Sequence, residues 1–203
     1  MDWNRMPDQP TIDKLVTGMR ERNFNPMVVP DRQSALEKLK QTIPPMADVM
    51  TGSSTTLEEI GFTAFLTSNN HPWRNWKDRI FAEKDPQKQY DLRRAATTSE
   101  YFLGSVQAIT ESGQVLGADG TGSRQGGYVY SARNVIWVVG LNKVVSDLDM
   151  ALRRLHEHCF PLEDARMKKA GARGTVIGKI VIYEFEGVPH RISTILIKEK
   201  LGF

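Results

Sequence analysis

The hydrophobic residues of the first third of the chain alternate between helical spacing and short continuous runs. Residues 11–23 place Ile12, Leu15, Val16 and Met19 on one face of a predicted helix. Short apolar runs at residues 27–29 and 47–50 predict strands. A helix is predicted between these two strands, with Ala35, Leu36 and Leu39 on its core face. A further helix is predicted over residues 57–66. Strands that alternate with helices favour a parallel sheet.

The remainder of the chain contains the most apolar segment, residues 134–140 (NVIWVVG). A run with so few polar residues predicts a strand that is buried on both faces, at the centre of a parallel sheet. Residues 69–84 are predicted as a loop with short helical turns, with Trp73 and Trp76 forming a hydrophobic patch. Further strands are predicted at residues 102–109, 114–116, 128–130, 179–184 and 192–198, and helices at residues 86–99 and 147–158. The helix at 86–99 is expected to turn Tyr90, Leu92, Ala95 and Ala96 toward the core. The pattern predicts one α/β domain over residues 1–203, with a mostly parallel central sheet flanked by helices.

Composition narrows the class of protein. The 203 residues are 40% hydrophobic and 25% charged, which is typical of a globular domain with its own core. A net charge of +3 and one basic cluster (ARMKKAGAR), interpreted as a solvated helix end and loop, do not indicate a nucleic-acid binder. The single cysteine, Cys159, excludes an internal disulfide. The first ten residues lack a signal-peptide pattern and no apolar run could span a membrane, so a cytoplasmic protein is expected.

The first candidate site is the loop TGSSTT, which joins a predicted strand to a predicted helix. Free backbone N–H groups and hydroxyls in such a loop can bind an anion. The candidate ligand-binding residues are Gly52, Ser53, Ser54, Thr55 and Thr56. Helix capping explains the same residues, because Thr55 with Glu58, or Thr56 with Glu59, matches a capping box. The loop lacks the Gly-Lys-Ser/Thr ending of a P-loop.

The second candidate is Glu111, in the turn ITESGQV between two predicted strands. A carboxylate at a strand end can act as a base or nucleophile when burial raises its pKa. Alternatively, it accepts hydrogen bonds from backbone N–H groups of the turn. Gly113, in the same turn, is a candidate ligand-binding residue.

Two further candidates follow predicted strands. Asp119 and Arg124 lie in the segment DGTGSR, where Asp-Gly also predicts an ordinary hairpin loop. An arginine there could bind a carboxylate or phosphate through two donors. Asn142 and Lys143 come directly after the strand NVIWVVG, and ligands of open α/β sheets bind beyond the carboxyl ends of strands. The alternative is a surface lysine on a loop.

No metal site or cofactor is predicted. His156 and His158 are two residues apart on a predicted helix and point in different directions, so they do not suit a shared metal ion.

Taken in order, these motifs resemble the LUD domain family, which includes lactate-utilisation proteins related to LutC. The resemblance lies in the upstream loop SSTTLEEIG, in the central segment with AITESG, ADGTGSR and GLNK, and in the ending ILIKEKLGF. It covers most of the chain and is weakest at residues 69–88. Relatives with this central motif often carry a cysteine-rich stretch where this chain reads ARMKKAGARGTVIG, so a metal or redox role tied to those cysteines does not carry over.

The resemblance implies a fold similar to that of sugar-phosphate isomerases and CoA transferases. In addition, the turn TESG resembles the Ser-Glu-Asn-Gly turn of class I CoA transferases, in which the glutamate is a nucleophile. It also implies an accessory protein of lactate or organic-acid utilisation that binds a small anionic metabolite, with an iron–sulfur protein as partner. A stand-alone transferase or isomerase that uses Glu111, and a ligand sensor without catalysis, are the alternatives. Neither nucleic acid nor membrane insertion is expected, and a homodimer is left open.

Overall fold

The computed structural model describes residues 1–68 and 70–203; Asn69, the first residue of the predicted loop 69–84, lies outside the described residues. The helices are α1 (Gln9–Glu21), α2 (Arg32–Thr42), α3 (Thr55–Glu59), α4 (Phe62–Thr67), α5 (Trp76–Ala82), α6 (Pro86–Ala95), α7 (Ser123–Gly126), α8 (Leu148–Arg154) and α9 (Phe160–Lys169). The strands are β1 (Pro26–Val29), β2 (Asp48–Thr51), β3 (Arg74–Asn75), β4 (Tyr101–Gly104), β5 (Ala108–Thr110), β6 (Val115–Asp119), β7 (Asn134–Gly140), β8 (Val144–Val145), β9 (Lys179–Tyr183) and β10 (Ile192–Ile197).

Six strands form a central sheet in the order β1-β10-β7-β4-β2-β3, and every neighbouring pair is parallel. The α/β fold with a mostly parallel sheet is therefore confirmed. β7 lies between β10 and β4, and residues 135–140 are all buried, as its apolar sequence predicts. Its side chains alternate between two cores: Val135 and Trp137 face one side, and Ile136 and Val138 the other.

Four strands form a smaller second sheet in the order β8-β5-β6-β9. β5 pairs antiparallel with β6 and parallel with β8, while β9 pairs antiparallel with β6. Ile109 and Val115 of this sheet share a core with Trp137 of the central sheet and with Leu15 of α1. The second sheet and α1 therefore cover one face of the central sheet.

Helices cover the remaining faces. Leu39 of α2, Leu57 of α3 and Phe62 of α4 pack against the opposite face of the central sheet, around Ile136 and Val138. On the outer side of the second sheet, Ala151 and Leu155 from the α8 region pack on Leu116. The molecule is thus layered as helices, central sheet, second sheet and helices.

Three predicted elements differ from the observed ones because local turns were not recognised. The predicted strand 102–109 is two strands, β4 and β5, which belong to different sheets. The predicted helix 57–66 is interrupted at Gly61, whose φ of 79° ends α3 and begins α4. The predicted strand 128–130 lies in a π-helical turn, Gly127–Ser131, because Ala132 N–H bonds back to the Gly127 carbonyl.

The helix predicted at 86–99 exists as α6, but Tyr90, Leu92 and Ala95 of its predicted core face are not buried. α6 contains no buried residue, and Tyr90 is 59% exposed. Ala96, just beyond the helix, is buried. The predicted loop 69–84 contains α5, where Trp76 stacks against Arg79, while Trp73 packs on Phe62.

The described helices include none that is both long and apolar enough to cross a membrane.

Candidate functional site

Two neighbouring chain segments leave the central sheet for the second sheet side by side. β4 continues through residues 105–107 into β5, and β7 continues through residues 141–143 into β8. β4 pairs with β7 and β5 pairs with β8, both in parallel, so the two crossings are adjacent. Ser105 and Lys143 lie on these crossings, and the fold thereby brings them together.

Lys143 is buried, with 2% of the residue exposed. Its Nζ donates to Ser105 Oγ at 3.0 Å and to Thr56 Oγ1 at 3.1 Å, and Thr56 Oγ1 is 3.4 Å from Ser105 Oγ. Among the residues that the structure describes, no carboxylate pairs with this ammonium group. A buried cation held only by hydroxyls is unusual, since buried charges are normally paired.

The environment of Lys143 favours the neutral amine. Burial, reinforced by the positive charge of Arg154, lowers the pKa of Lys143 to about 7. Cys159 and Glu59 act in the opposite direction but do not compensate. An amine with this pKa exchanges between its charged and neutral forms near neutral pH.

A cavity of about 460 Å³ lies beside Lys143. Its lining includes five cationic side chains and two carboxylates, those of Lys77, Arg93, Arg124, Lys143, Arg166, Asp119 and Glu163. Arg166 pairs with Glu163 at 2.7 Å, and Arg124 Nε lies 3.7 Å from Asp119 Oδ2. The remaining excess of positive charge suits an anionic ligand.

The predicted loop lines this cavity through Gly52, Ser53, Ser54, Thr55 and Thr56. The predicted capping boxes are wrong: Ser54 caps α3, and its hydroxyl accepts from Leu57 N–H at 3.3 Å. The Thr56 hydroxyl instead accepts from Lys143 Nζ. A side chain at Gly52 would overlap the aliphatic part of Arg124, so Arg124 would have to move.

Arg124 and Asp119 also line the cavity, although the hairpin loop predicted for their segment is wrong. β6 is followed by α7, and the strands beside β6 are β5 and β9. Arg124 donates to the carbonyl oxygens of Ser53 and Ala118, and its backbone N–H donates to Asp119. Its guanidinium therefore ties the end of β6 to the loop before α3.

Glu111 lies elsewhere. The turn that contains it closes the far end of the β5–β6 hairpin, whereas Gln107 and Ala118 line the cavity at the other end. Glu111 lies four residue steps along the chain from Gln107, which is roughly 13 Å in an extended strand. Glu111 accepts from Lys14 Nζ of α1 at 2.9 Å. The structure thus does not bring Glu111 together with the loop before α3.

Gly113 and Asn142 also lie outside the cavity lining and have structural contacts. Gly113 has a φ of 90° and packs directly against Gly18 of α1. Asn142 is buried, accepts from Leu201 N–H at 3.0 Å and donates to the Gly202 carbonyl. Asn142 therefore holds the final segment of the described chain against the site.

Sequence reasoning missed a second buried cation beside the cavity. Arg154 is completely buried and donates through Nη1 to the Gln107 carbonyl and, at 2.9 Å, to Cys159 Sγ. Its Nε and Nη2 have no hydrogen-bond partner within the described residues. Burial raises the pKa of the Cys159 thiol, while Arg154 and Lys143 oppose that shift. Cys159 lines the cavity as well.

Ser105, Lys77, Arg93 and Arg166 were missed for a simpler reason. None of the four lies in a motif that indicates a ligand site, and only the folded chain brings them to the cavity. Arg166 belongs to the basic cluster that was interpreted as a solvated helix end; it lies in α9 and is partly buried. Of the cationic side chains in the lining, Lys143 and Arg124 were predicted, because both follow predicted strands.

The fold and this cavity define an α/β protein with a basic cavity beyond the carboxyl ends of β2, β4 and β7. The LUD domain family matches residues 12–195, and the chain belongs to this family. The chain is similar in fold to a DUF162 family protein from Deinococcus radiodurans, with a TM-score of 0.57 and 9% identity over 95% of this chain and 99% of that one. No curated protein matches the chain.

Proposed function

We propose that this LUD-domain protein binds a small anionic metabolite, a carboxylate or phosphate, in the basic cavity beside Lys143. The observation that carries the proposal is the buried Lys143 ammonium, which has hydroxyl partners but no paired carboxylate in the described chain. An incoming anion would supply the missing countercharge. Lys77 and Arg93 add positive charge at the cavity wall.

A thermal-shift titration tests this proposal. Phosphate, sulfate, sugar phosphates, acyl-CoA esters and small carboxylates are titrated against the purified protein, because ligands that bind only the folded state raise its Tm. We expect a concentration-dependent rise that Lys143→Met abolishes. Lys14→Met is the matched control, since it removes one lysine charge at the far end of the β5–β6 hairpin. Equal shifts in both variants, or no shift with any anion, would contradict the proposal.

Glu111→Gln belongs in the same titration. If the metabolite binds in the cavity, this variant keeps the ligand-induced shift of the wild type, because Glu111 contacts α1 rather than the cavity lining. Loss of the shift would indicate that the metabolite binds at the Glu111 turn. It would support the alternative hypothesis in which this glutamate is the reactive group.

The wider role is an accessory one in the use of lactate or related organic acids, with an iron–sulfur protein as partner. Membership of the LUD domain family and the motifs shared with lactate-utilisation proteins support this part of the proposal. Purification of the tagged protein from its native host, followed by mass spectrometry and iron analysis of co-purifying proteins, tests it. Recovery of the protein without any iron–sulfur partner under conditions of organic-acid growth would contradict it.

A further inference from the structure

Lys143 has the surroundings of a reactive amine as well as those of an anion anchor. It lines the cavity together with its partners Ser105 and Thr56, yet it is almost wholly removed from bulk water. A second buried cation, Arg154, lies close enough to disfavour its charge. Desolvation and a neighbouring cation are the two ways in which proteins make a lysine nucleophilic.

The two hydroxyls complete the arrangement. Ser105 Oγ and Thr56 Oγ1 lie within hydrogen-bond distance of Nζ and of each other. They fix the direction of the amine, and they can pass a proton to or from a group that reacts with it. A lysine with a purely structural role would need these bonds, but it would not need a place on the cavity wall.

We propose that Lys143 forms an imine with the carbonyl group of a 2-oxo carboxylate bound in the basic cavity. This inference rests on the proposed function, because the carboxylate would be held by the cations that line the same cavity. The lowered pKa of Lys143, about 7, supplies a usable fraction of neutral amine near neutral pH.

The reaction balances without an oxidant or reductant. The lone pair of the neutral amine attacks the carbonyl carbon, a C–N bond forms, and the carbonyl π electrons move to oxygen. Nitrogen loses one proton and oxygen gains one, which gives a carbinolamine; the Ser105 and Thr56 hydroxyls are positioned at Nζ for this transfer. The carbinolamine C–O bond then breaks, the hydroxyl group leaves as water with the second proton of the nitrogen, and the nitrogen electron pair forms the C=N bond.

Reductive trapping tests the inference. The protein is incubated with glyoxylate or pyruvate and sodium cyanoborohydride, and peptides are mapped by mass spectrometry. We expect a reduced adduct on Lys143 with both probes, because each has a carbonyl group and a carboxylate. Acetate, which has no ketone or aldehyde carbonyl, and acetone, which has no charge, are the matched controls and should leave Lys143 unmodified. Excess phosphate should suppress the adduct by competing for the cavity.

Variants make the test specific. Lys143→Arg keeps a positive charge but has no amine that forms an imine, so labelling at position 143 is lost. If this variant does not fold, Ser105→Ala and Thr56→Val serve instead: they keep Lys143, and adduct formation should slow while the anion-induced thermal shift remains. A structural role for the two hydroxyls would lower Tm without slowing the trapping reaction.

The outcomes separate the two proposals. An adduct confined to exposed lysines, or none at all, overturns imine formation. If the thermal shift with anions persists in that case, the proposed binding function stands alone. Loss of both the adduct and the shift in the wild type overturns both proposals.

Discussion

Lys143 shows how much a single side chain depends on its surroundings. The same residue on a surface would be a permanent cation with little effect on stability, whereas here burial and Arg154 set its charge. Its hydrogen bonds come from residues 38 and 87 positions away in the chain, Ser105 and Thr56. Both partners are supplied by the tertiary fold.

The charge of Lys143 makes stability depend on pH in a defined direction. Its pKa is lowered from 10.5 to about 7 in the folded protein, so between these values the unfolded chain binds more protons. The contribution of Lys143 to stability therefore rises with pH across this interval and is lost as pH falls through 7, with a slope of at most about 1.4 kcal/mol per pH unit. Urea unfolding of the wild type and Lys143→Met checks this. A difference between the two free energies of unfolding that does not change with pH would contradict it.

Arg191 gives a second prediction for a single residue. It pairs with Glu186 at 3.0 Å, both side chains are about nine-tenths buried, and it donates to the carbonyl oxygens of Tyr128, Val129 and Ala132. Arg191→Met leaves a buried carboxylate unpaired, so we expect a loss of about 3–5 kcal/mol in the free energy of unfolding. The loss is measured by urea unfolding.

The control for Arg191 is Arg153→Met. Arg153 also pairs with a glutamate at 3.0 Å, but its side chain is 53% exposed. Its removal should leave the free energy of unfolding almost unchanged, because exposed ion pairs contribute little to stability. Similar losses in the two variants would mean that burial does not determine the strength of these pairs.

At the scale of elements, α1 packs on the β5–β6 turn through a contact between two glycines. A methyl group on Gly18 would overlap the Ser112 carbonyl, and one on Gly113 would overlap the backbone of α1. Gly18→Ala should therefore displace α1 from the turn and cost about 1–3 kcal/mol, less a small gain in helix propensity. Thermal unfolding followed by circular dichroism measures the effect.

Gly126→Ala is the matched substitution. Gly126 is also helical, but the nearest atom to an added methyl group, Thr97 Cγ2, is 3.7 Å away. Alanine should be neutral there or stabilise by up to about 1 kcal/mol. Destabilisation of similar size in both variants would show that packing against the turn does not account for the effect of Gly18→Ala.

The elements differ in how far the sequence determines them. β7 was predictable because both of its faces are buried, which requires an uninterrupted apolar run. The break between β4 and β5 was not, because Ser105 and Gln107 disturb the pattern too little to mark a change of sheet. Tyr90 was misplaced because α6 has apolar residues at core-like spacing but no layer to cover them.

The same contrast holds for the candidate site. The loop before α3, and Lys143 after β7, were predictable because strand ends mark ligand sites in parallel sheets. The partnership of Lys143 with Ser105 was not, since it depends on two chain segments crossing between sheets side by side. The placement of Glu111 depends on the direction of the β5–β6 hairpin, which the turn motif alone does not specify.

For the whole molecule, the layered arrangement predicts a gradient of local stability. β7 is covered on both faces and paired on both edges, so its amides should exchange only through global unfolding. β9 lies at an edge of the second sheet with Ile180 and Ile182 about 40% exposed, and its amides should exchange faster. Hydrogen–deuterium exchange with mass spectrometry measures both segments. Equal protection of β7 and β9 would contradict the layered description.

The two adjacent chain crossings between the sheets constrain the order of events during folding. Ser105 and Lys143 meet only when β4 has paired with β7 and β5 with β8, because each residue belongs to the connection between two sheets. During refolding, Trp137 can therefore be fully buried only once the second sheet packs on the central sheet, since Ile109 and Val115 belong to its core. On the proposed function, anion binding returns only after both sheets have formed side by side.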